Sequence, residues 1–175
     1  MEIQKTRLSD GRDAVLFWNA DEPNGVFSNW HDEPFVVDDF CYRHVEQYMM
    51  AQKAKLFHDA AHYTAILKCD DPGECKKMGK QVTPFNSFLW DAHKYAIVYT
   101  ANRAKYEQNP ALKEALLATG DLLLAEASPY DKIWGIGLGR GKAALTDPAD
   151  WEGENLLGKI LMQLRKTNYV KSSVF

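Results

Sequence analysis

The sequence has little cysteine, no long apolar run and no excess of positive charge, and each of these absences excludes a class of protein. Its 175 residues include three cysteines, Cys41, Cys69 and Cys75, and none of them stands in C-x-x-C spacing. An odd number of thiols without that spacing predicts neither a disulfide framework nor a zinc site. Reduced thiols in a cytoplasmic protein are the simplest account.

The apolar residues are spread along the chain. No stretch approaches the roughly 20 apolar residues of a membrane span, and the first twenty residues lack the apolar core of a signal peptide. We therefore expect a cytoplasmic protein without membrane spans. The net charge of −3, from 21 basic and 24 acidic residues, argues against a protein that coats a nucleic-acid backbone. It leaves room for one nucleotide or one modified base in a pocket.

Several catalytic signatures are also missing. The glycine-rich segment 135–142 fits neither the phosphate-binding P-loop nor the dinucleotide-binding G-x-G-x-x-G pattern. His58 and His62 are spaced like metal ligands, but Asp59 between them does not complete H-E-x-x-H, so we expect no metal and no cofactor. No G-x-S-x-G nucleophile elbow occurs.

The patterns that are present predict a mainly α, compact, single-domain helical fold with a small β element, covering residues 1–175 with a core at about 15–166. A strand is expected at 14–18, a hairpin at 35–42 and a buried strand at 122–127. Residues 128–153 are expected to form a loop. Helices are expected at 44–57, 59–68, 71–79, 89–106, 110–119 and 155–165, the last one capped by Asn155.

The first of these helices carries the most informative pair, Glu46 and Lys53. Seven residues turn a helix by about 700°, so the two side chains point within roughly 20° of each other, about 10 Å apart along the axis. They are too far apart for an i,i+4 ion pair, and Met50 lies between them. The pair therefore either grips opposite ends of a ligand or lies on a solvated helix surface.

Two further segments have both a binding and a structural interpretation. Asp131 and Trp134 precede Gly135 and Gly137, so they either form a pocket rim for a sugar and a base or belong to a flexible surface loop. Arg140 and Lys142, which follow, fit a solvated surface better than a phosphate site. Phe27-Ser28-Asn29 fits a turn and a ligand site equally well, and Trp90 fits a core residue better than a stacking platform.

Taken in order, these segments resemble the NADAR, or YbiA-like, family across roughly residues 15–166. The resemblance is carried by Phe27-Ser28-Asn29, Glu46 with Gln52-Lys53, Lys77-Met78-Gly79, Trp90, Lys105 to Asn109, Leu116 to Gly120, Glu126-Ala127, Asp131-x-x-Trp134-Gly135-x-Gly137 and the segment from Gly153 to Arg165. The sequence departs from the family at the start of the first helix. His44 stands two before Glu46, where Ser or Thr is usual, and Gln47 follows it in place of His. A weaker helix cap is expected there.

The resemblance implies a mainly helical N-glycosidase that acts on ADP-ribose attached to the amino group of guanine, or on ribosylamine intermediates of riboflavin synthesis. It implies no membrane partner, and it leaves room for an ADP-ribosyltransferase toxin as a counterpart. Lys53 is expected to be the nucleophile, Glu46 the proton-transfer group and Asp131 the group that steadies positive charge or the ribose hydroxyls. The expected substrate-binding residues are Phe27, Ser28, Asn29, Trp90, Trp134, Gly135 and Gly137.

Three alternatives stay open at the level of sequence. Water could attack directly, with Glu46 or Asp131 as base and Lys53 binding phosphate. The domain could bind ADP-ribose or a nucleotide without cleaving it, and such a reader would not need Lys53. It could also be a helical interaction protein.

Overall fold

Helices dominate the fold, as the sequence predicts. The computed structural model describes residues 2–172, with side chains through residue 167. The helices in this range are α1 (Val45–Leu56), α2 (Ala60–Leu67), α3 (Pro72–Gln81), α4 (Ser87–Gln108), α5 (Pro110–Ala118), α6 (Arg140–Leu145) and α7 (Leu156–Ser172). The strands are β1 (Thr6–Arg7), β2 (Asp13–Phe17), β3 (Phe35–Val37), β4 (Phe40–Tyr42) and β5 (Leu123–Glu126). Among these residues no helix combines the length and the apolar character that crossing a membrane requires.

The chain forms two compact units. One contains the residues up to His31 and those from Pro110 onward, and the other is Asp32–Asn109. The prediction of a single domain stays a prediction.

The unit Asp32–Asn109 is built around α1, which packs against α2, α3 and α4. The predicted hairpin is confirmed: β3 and β4 pair antiparallel, and Asp38 and Asp39 between them have φ of 51° and 61°. Two consecutive positive φ values are what a two-residue hairpin turn requires, and Asp tolerates them. The Gln108 side chain donates to the Val36 carbonyl and accepts from its N–H, both at 2.8 Å, which ties the hairpin to the end of α4.

The other unit has a three-stranded sheet in the order β1-β2-β5, with β2 and β5 parallel. Helix α7 packs on β5. This approach is close, since a Cβ on Gly158 would lie 2.2 Å from the Leu124 carbonyl oxygen. The core of the unit is apolar and comprises Leu8, Ala14, Leu16, Ala125, Ala127, Ile136, Leu138 and Ala143. Strand β1 has two residues, which is too short for an alternating pattern to reveal it.

Three sequence expectations in this unit are wrong. Residues 128–153 are not all loop, because α6 and a 3-10 helix at Pro148–Asp150 lie within them. Asn155 does not cap α7 with its side chain. The N–H groups of Leu156 and Leu157 donate instead to the carbonyls of Ile133 and Trp134, both at 3.1 Å. Helix α7 also continues to Ser172, past the predicted end at residue 165. The last three residues of the tail lie outside the described residues.

Candidate active site

Helix α1 presents Glu46 and Lys53, and its first turn is firmly held. The Nδ1 atom of His44 accepts from the Gln47 N–H at 3.0 Å, and its Nε2 lies 3.1 Å from the Asp70 carbonyl. The expectation of a weak cap is therefore wrong, since imidazole supplies the acceptor that a serine or threonine hydroxyl would supply. The Gln47 side chain accepts from the Arg43 N–H at 2.9 Å and donates to the Cys69 carbonyl at 2.9 Å.

Lys53 lies in a half-buried, largely aromatic environment. Its Nζ donates to the Gly79 carbonyl at 2.7 Å. The same nitrogen lies 4.5 Å from the ring centroid of Phe85 and 5.6 Å from that of Trp90. The carbonyl and the rings are groups that an ammonium binds, whereas burial disfavours the charge. The interpretation of Lys53 as an ordinary solvated lysine does not fit this environment.

Burial lowers the pKa of Lys53 below its usual value, and the charge of Glu46 acts in the opposite direction. Glu46 itself is buried, with 4% of its surface exposed. A buried carboxylate near a partly desolvated amine is an arrangement often found where proton transfer takes place.

Helix α3 completes the surroundings of Lys53 through Gly79. A Cβ at this position would lie 1.9 Å from the Met50 Sδ and 2.8 Å from its Cγ. The missing side chain therefore allows α3 to approach α1 closely enough for the Gly79 carbonyl to reach Lys53. Met50, which the sequence places between Glu46 and Lys53, fills this contact.

Phe85 borders the amine together with Trp90, and Phe57 packs against Phe85. Phe57 is buried, and its ring centroid lies 5.1 Å from that of Phe85, whose surface is 49% exposed. Sequence reasoning did not identify Phe85, because a single phenylalanine after Pro84 has no pattern. Gly79 carried a signal only as part of the Lys77-Met78-Gly79 segment.

The second set of predicted residues belongs to the other unit, and Asp131 organises it. Its Oδ1 accepts from the N–H groups of Ile133 and Trp134 at 2.8 and 2.7 Å, and its carbonyl accepts from the Gly137 N–H at 3.1 Å. Trp134, Gly135 and Gly137 follow within this turn. The carboxylate thus has a local structural role in addition to any role in chemistry.

The glycine segment is a tightly bonded turn, so the flexible-loop interpretation is wrong. A Cβ on Gly135 would lie 2.8 Å from the Glu126 carbonyl oxygen, and Gly137 has a φ of +72°. The Ile136 N–H donates to the Glu126 carbonyl at 2.9 Å, and the Gly153 N–H donates to the Ile136 carbonyl at 2.8 Å. These glycines are explained by close backbone packing within the protein.

The Phe27-Ser28-Asn29 segment begins with the last residue of a 3-10 helix at Gly25–Phe27. The ring of Phe27 is fully buried, 5.8 Å from that of Phe17, which makes it a core residue without exposed surface for a substrate. The Ser28 Oγ accepts from the Trp30 N–H at 3.2 Å, as the turn interpretation predicts. Ser28 and Asn29 are both buried.

Arg140 is not the solvated residue that its sequence context favoured, although Lys142 is exposed. Its guanidinium donates to the Pro23 carbonyl and lies 3.6 Å from the Glu22 carboxylate. Burial lowers its pKa, and Glu22 acts against that shift. Arg140 therefore fixes the start of α6 to the segment before Gly25.

The described residues match a known domain family and its relatives. Residues 16–167 match the NADAR domain. An N-glycosidase of Acanthamoeba polyphaga mimivirus is 45% identical over 82% of this chain and 87% of its own length. A riboflavin biosynthesis protein of Vibrio vulnificus is 29% identical over 87% of this chain, which corresponds to 38% of its own length.

A solved structure gives the same result for the fold. The NMR structure of the Escherichia coli protein YbiA superposes with a TM-score of 0.77 at 28% identity, covering 93% of this chain and 88% of that one. The match in sequence spans most of the chain, and the match in structure is consistent with it. This protein belongs to the NADAR domain family.

Proposed function

We propose that this protein removes ADP-ribose from the amino group of guanine by hydrolysing an N-glycosidic bond, with Lys53 as the nucleophile. The observation that carries the proposal is the half-buried Lys53 amine, whose pKa burial lowers and whose nitrogen the Gly79 carbonyl fixes at 2.7 Å. A positioned amine with a lowered pKa is what attack on a carbon–nitrogen double bond requires.

The coarser part of this function rests on the relatives. The protein is an N-glycosidase, a hydrolase of N-glycosyl bonds, as the mimivirus relative of 45% identity is named. The guanine-linked ADP-ribose is the finer proposal. A transferase that attaches ADP-ribose to guanine would supply this substrate, and a toxin with that activity would be a natural counterpart.

The chemistry follows from the glycosylamine bond. Ring opening moves the proton of the linking nitrogen to the ribose ring oxygen and leaves an imine at C1′. The neutral Lys53 amine adds to C1′, its two protons pass in turn to the base nitrogen, and the base leaves as its free amine while Lys53 stays joined to C1′ as an imine. The remaining Lys53 imine takes up water, which releases the sugar aldehyde and restores the amine. Glu46 is the group proposed to carry protons during ring opening.

The competing route has water attack an oxocarbenium-like C1′ directly, with Glu46 or Asp131 as the base. Borohydride added during turnover separates the two routes. Reduction of an imine would leave the sugar attached to Lys53 as a secondary amine, which peptide mass spectrometry detects. A fully active enzyme that yields no adduct at Lys53 would exclude the imine route.

The main experiment compares two substrates and two lysine variants. The wild type, Lys53→Ala and Lys55→Ala are each incubated with ADP-ribosylated guanine DNA and with a ribosylamine intermediate of riboflavin synthesis. We expect Lys53→Ala to lose at least about 100-fold in kcat, because no other amine replaces it. Lys55, which is exposed on the same helix, serves as the matched control and should be dispensable.

The outcomes separate the candidate functions. Faster turnover of the modified DNA supports the proposal. Faster turnover of the ribosylamine favours the second candidate, for which the Vibrio vulnificus riboflavin biosynthesis protein is the supporting relative. Tight binding of ADP-ribose without turnover of either substrate would indicate a reader module and contradict the proposal.

Asp131 is proposed to stabilise positive charge or the ribose hydroxyls, and one substitution tests this role apart from its structural one. In Asp131→Asn the side-chain oxygen can still accept from Ile133 and Trp134, which now lie 2.8 and 2.7 Å from Oδ1, but the charge is gone. We expect a fall in kcat of roughly 10-fold or more with little change in melting temperature. Unchanged kinetics would mean that Asp131 has only its structural role in the turn.

A further inference from the structure

We propose that Phe85 is a positioning residue whose ring stacks on the flat heteroaromatic leaving group while the sugar carbon faces the Lys53 amine. The inference rests on the proposed function and adds to it a residue that determines specificity for aromatic amines. Guanine and the aminopyrimidine of a riboflavin intermediate share this flat ring, so the inference holds for either substrate.

The first argument is the position of the ring. Its centroid lies 4.5 Å from the Lys53 Nζ, within the site rather than beside it. One side packs on buried Phe57, with 5.1 Å between centroids and 60° between ring planes. Nevertheless 49% of the Phe85 surface is exposed. An aromatic ring that packs against a buried neighbour and still exposes about half of its surface next to the reacting amine offers a stacking surface.

The second argument is that the backbone on both sides of Phe85 is fixed. The Thr83 N–H donates to the Asp59 Oδ2 at 2.9 Å, which ties the segment to the start of α2. The Asn86 side chain accepts from the Leu89 N–H at 2.9 Å and caps α4. The ring is therefore held in place before a ligand arrives, which reduces the entropy lost on binding.

The third argument concerns what the exposed ring does for the reaction. The base nitrogen must leave from C1′ while the amine approaches the same carbon, so the base must stay close to Lys53 without blocking it. Stacking on the neighbouring ring holds the base by its face and leaves its exocyclic nitrogen accessible. The simpler alternative is that Phe85 only desolvates Lys53 and contacts its ammonium.

Kinetics of Phe85→Leu, Phe85→Tyr and Phe88→Leu on an ADP-ribosylated guanine nucleotide distinguish these roles. If the ring stacks on the base, Phe85→Leu should raise KM roughly fivefold or more. The value of kcat and the acidic limb of the pH profile of kcat should stay unchanged. Phe85→Tyr, which keeps an aromatic ring, should retain the wild-type KM. Phe88, whose surface is 85% exposed against 49% for Phe85, is the matched control. Phe88→Leu should keep the wild-type KM.

If Phe85→Leu kept the wild-type KM but shifted the acidic limb of the pH profile of kcat, the inference would be overturned. Phe85 would then act only on the protonation of the Lys53 amine. A second measurement needs no variant: guanosine should inhibit the wild type competitively, whereas a saturated amine of similar size should inhibit at least about fivefold less well. Equal inhibition by both would also overturn the inference. Failure of the proposed function is distinguishable, because the wild type would then not turn over the nucleotide at all.

Discussion

At the scale of single residues, the state of the Lys53 amine follows from opposing effects. The Gly79 carbonyl and the aromatic rings are groups that bind an ammonium, whereas burial lowers the pKa of Lys53 and outweighs the opposing charge of Glu46. The balance leaves a larger neutral fraction than an exposed lysine has near neutral pH. That fraction is what the proposed attack at C1′ consumes.

The protonation of Lys53 can be tested without a substrate. Only a neutral amine reacts with an acylating reagent, so labelling of Lys53 should begin at lower pH than labelling of a free lysine derivative such as Nα-acetyl-lysine amide. Glu46 raises the pKa of Lys53, so Glu46→Gln should move the onset to still lower pH. Labelling rates measured by peptide mass spectrometry against pH check both steps. An onset for Lys53 at or above that of the free lysine derivative would contradict the role of burial.

At the scale of elements, α1 depends on its first turn because that turn fixes the direction in which Glu46 and Lys53 point. His44 is the central residue, since one ring accepts from the Gln47 N–H and contacts the Asp70 carbonyl. The ring thereby joins α1 to the segment between α2 and α3. A serine or threonine at this position is too short to reach both groups.

Removing this cap should therefore lower stability. His44→Ala should reduce the free energy of unfolding by about 1–2 kcal/mol, because the Gln47 N–H loses its acceptor in a buried position. His44→Asn keeps a capping oxygen and should lose less. Urea unfolding of the three proteins measures the difference. An alanine variant as stable as the asparagine variant would show that the cap contributes nothing.

At the scale of the whole molecule, most elements could be predicted because their signals are local. A helix start can be predicted from its capping residues alone. Helices α2 and α3 begin where Asp59 and Asp71-Pro72 place them, and α1 is indicated by its apolar spacing. The predictions were wrong where an element depends on contacts with residues that are distant in sequence. The first turn of α7 is satisfied by carbonyls 23 residues earlier, from Ile133 and Trp134, and nothing near Asn155 indicates this.

In the candidate site, too, features set by local sequence could be predicted and features set by distant contacts could not. Glu46 and Lys53 could be paired from the helical repeat, since both belong to α1. Phe85 and the Gly79 carbonyl reach Lys53 from 32 and 26 positions away along the chain, and a backbone carbonyl leaves no trace in the residue type. The sequence predicts Asp131 as a site residue, and that stays a prediction; its two hydrogen bonds within the turn depend on backbone geometry.

Asn155 offers the last test, because three segments of one unit meet at it. Its side chain accepts from the Glu126 N–H at 3.1 Å and donates to the Leu124 carbonyl at 2.9 Å, and its own N–H donates to the Gly135 carbonyl at 3.1 Å. Its φ of 53° is in the left-handed region, which asparagine tolerates better than alanine.

Asn155→Ala should therefore lose about 3 kcal/mol of unfolding free energy, from one buried and one partly buried hydrogen bond and from the strained backbone. Asn155→Gly loses the same hydrogen bonds without the strain and should lose about 1 kcal/mol less. Urea midpoints of the two variants separate the contributions. A glycine variant as stable as the wild type would mean that the side-chain bonds to β5 stabilise nothing.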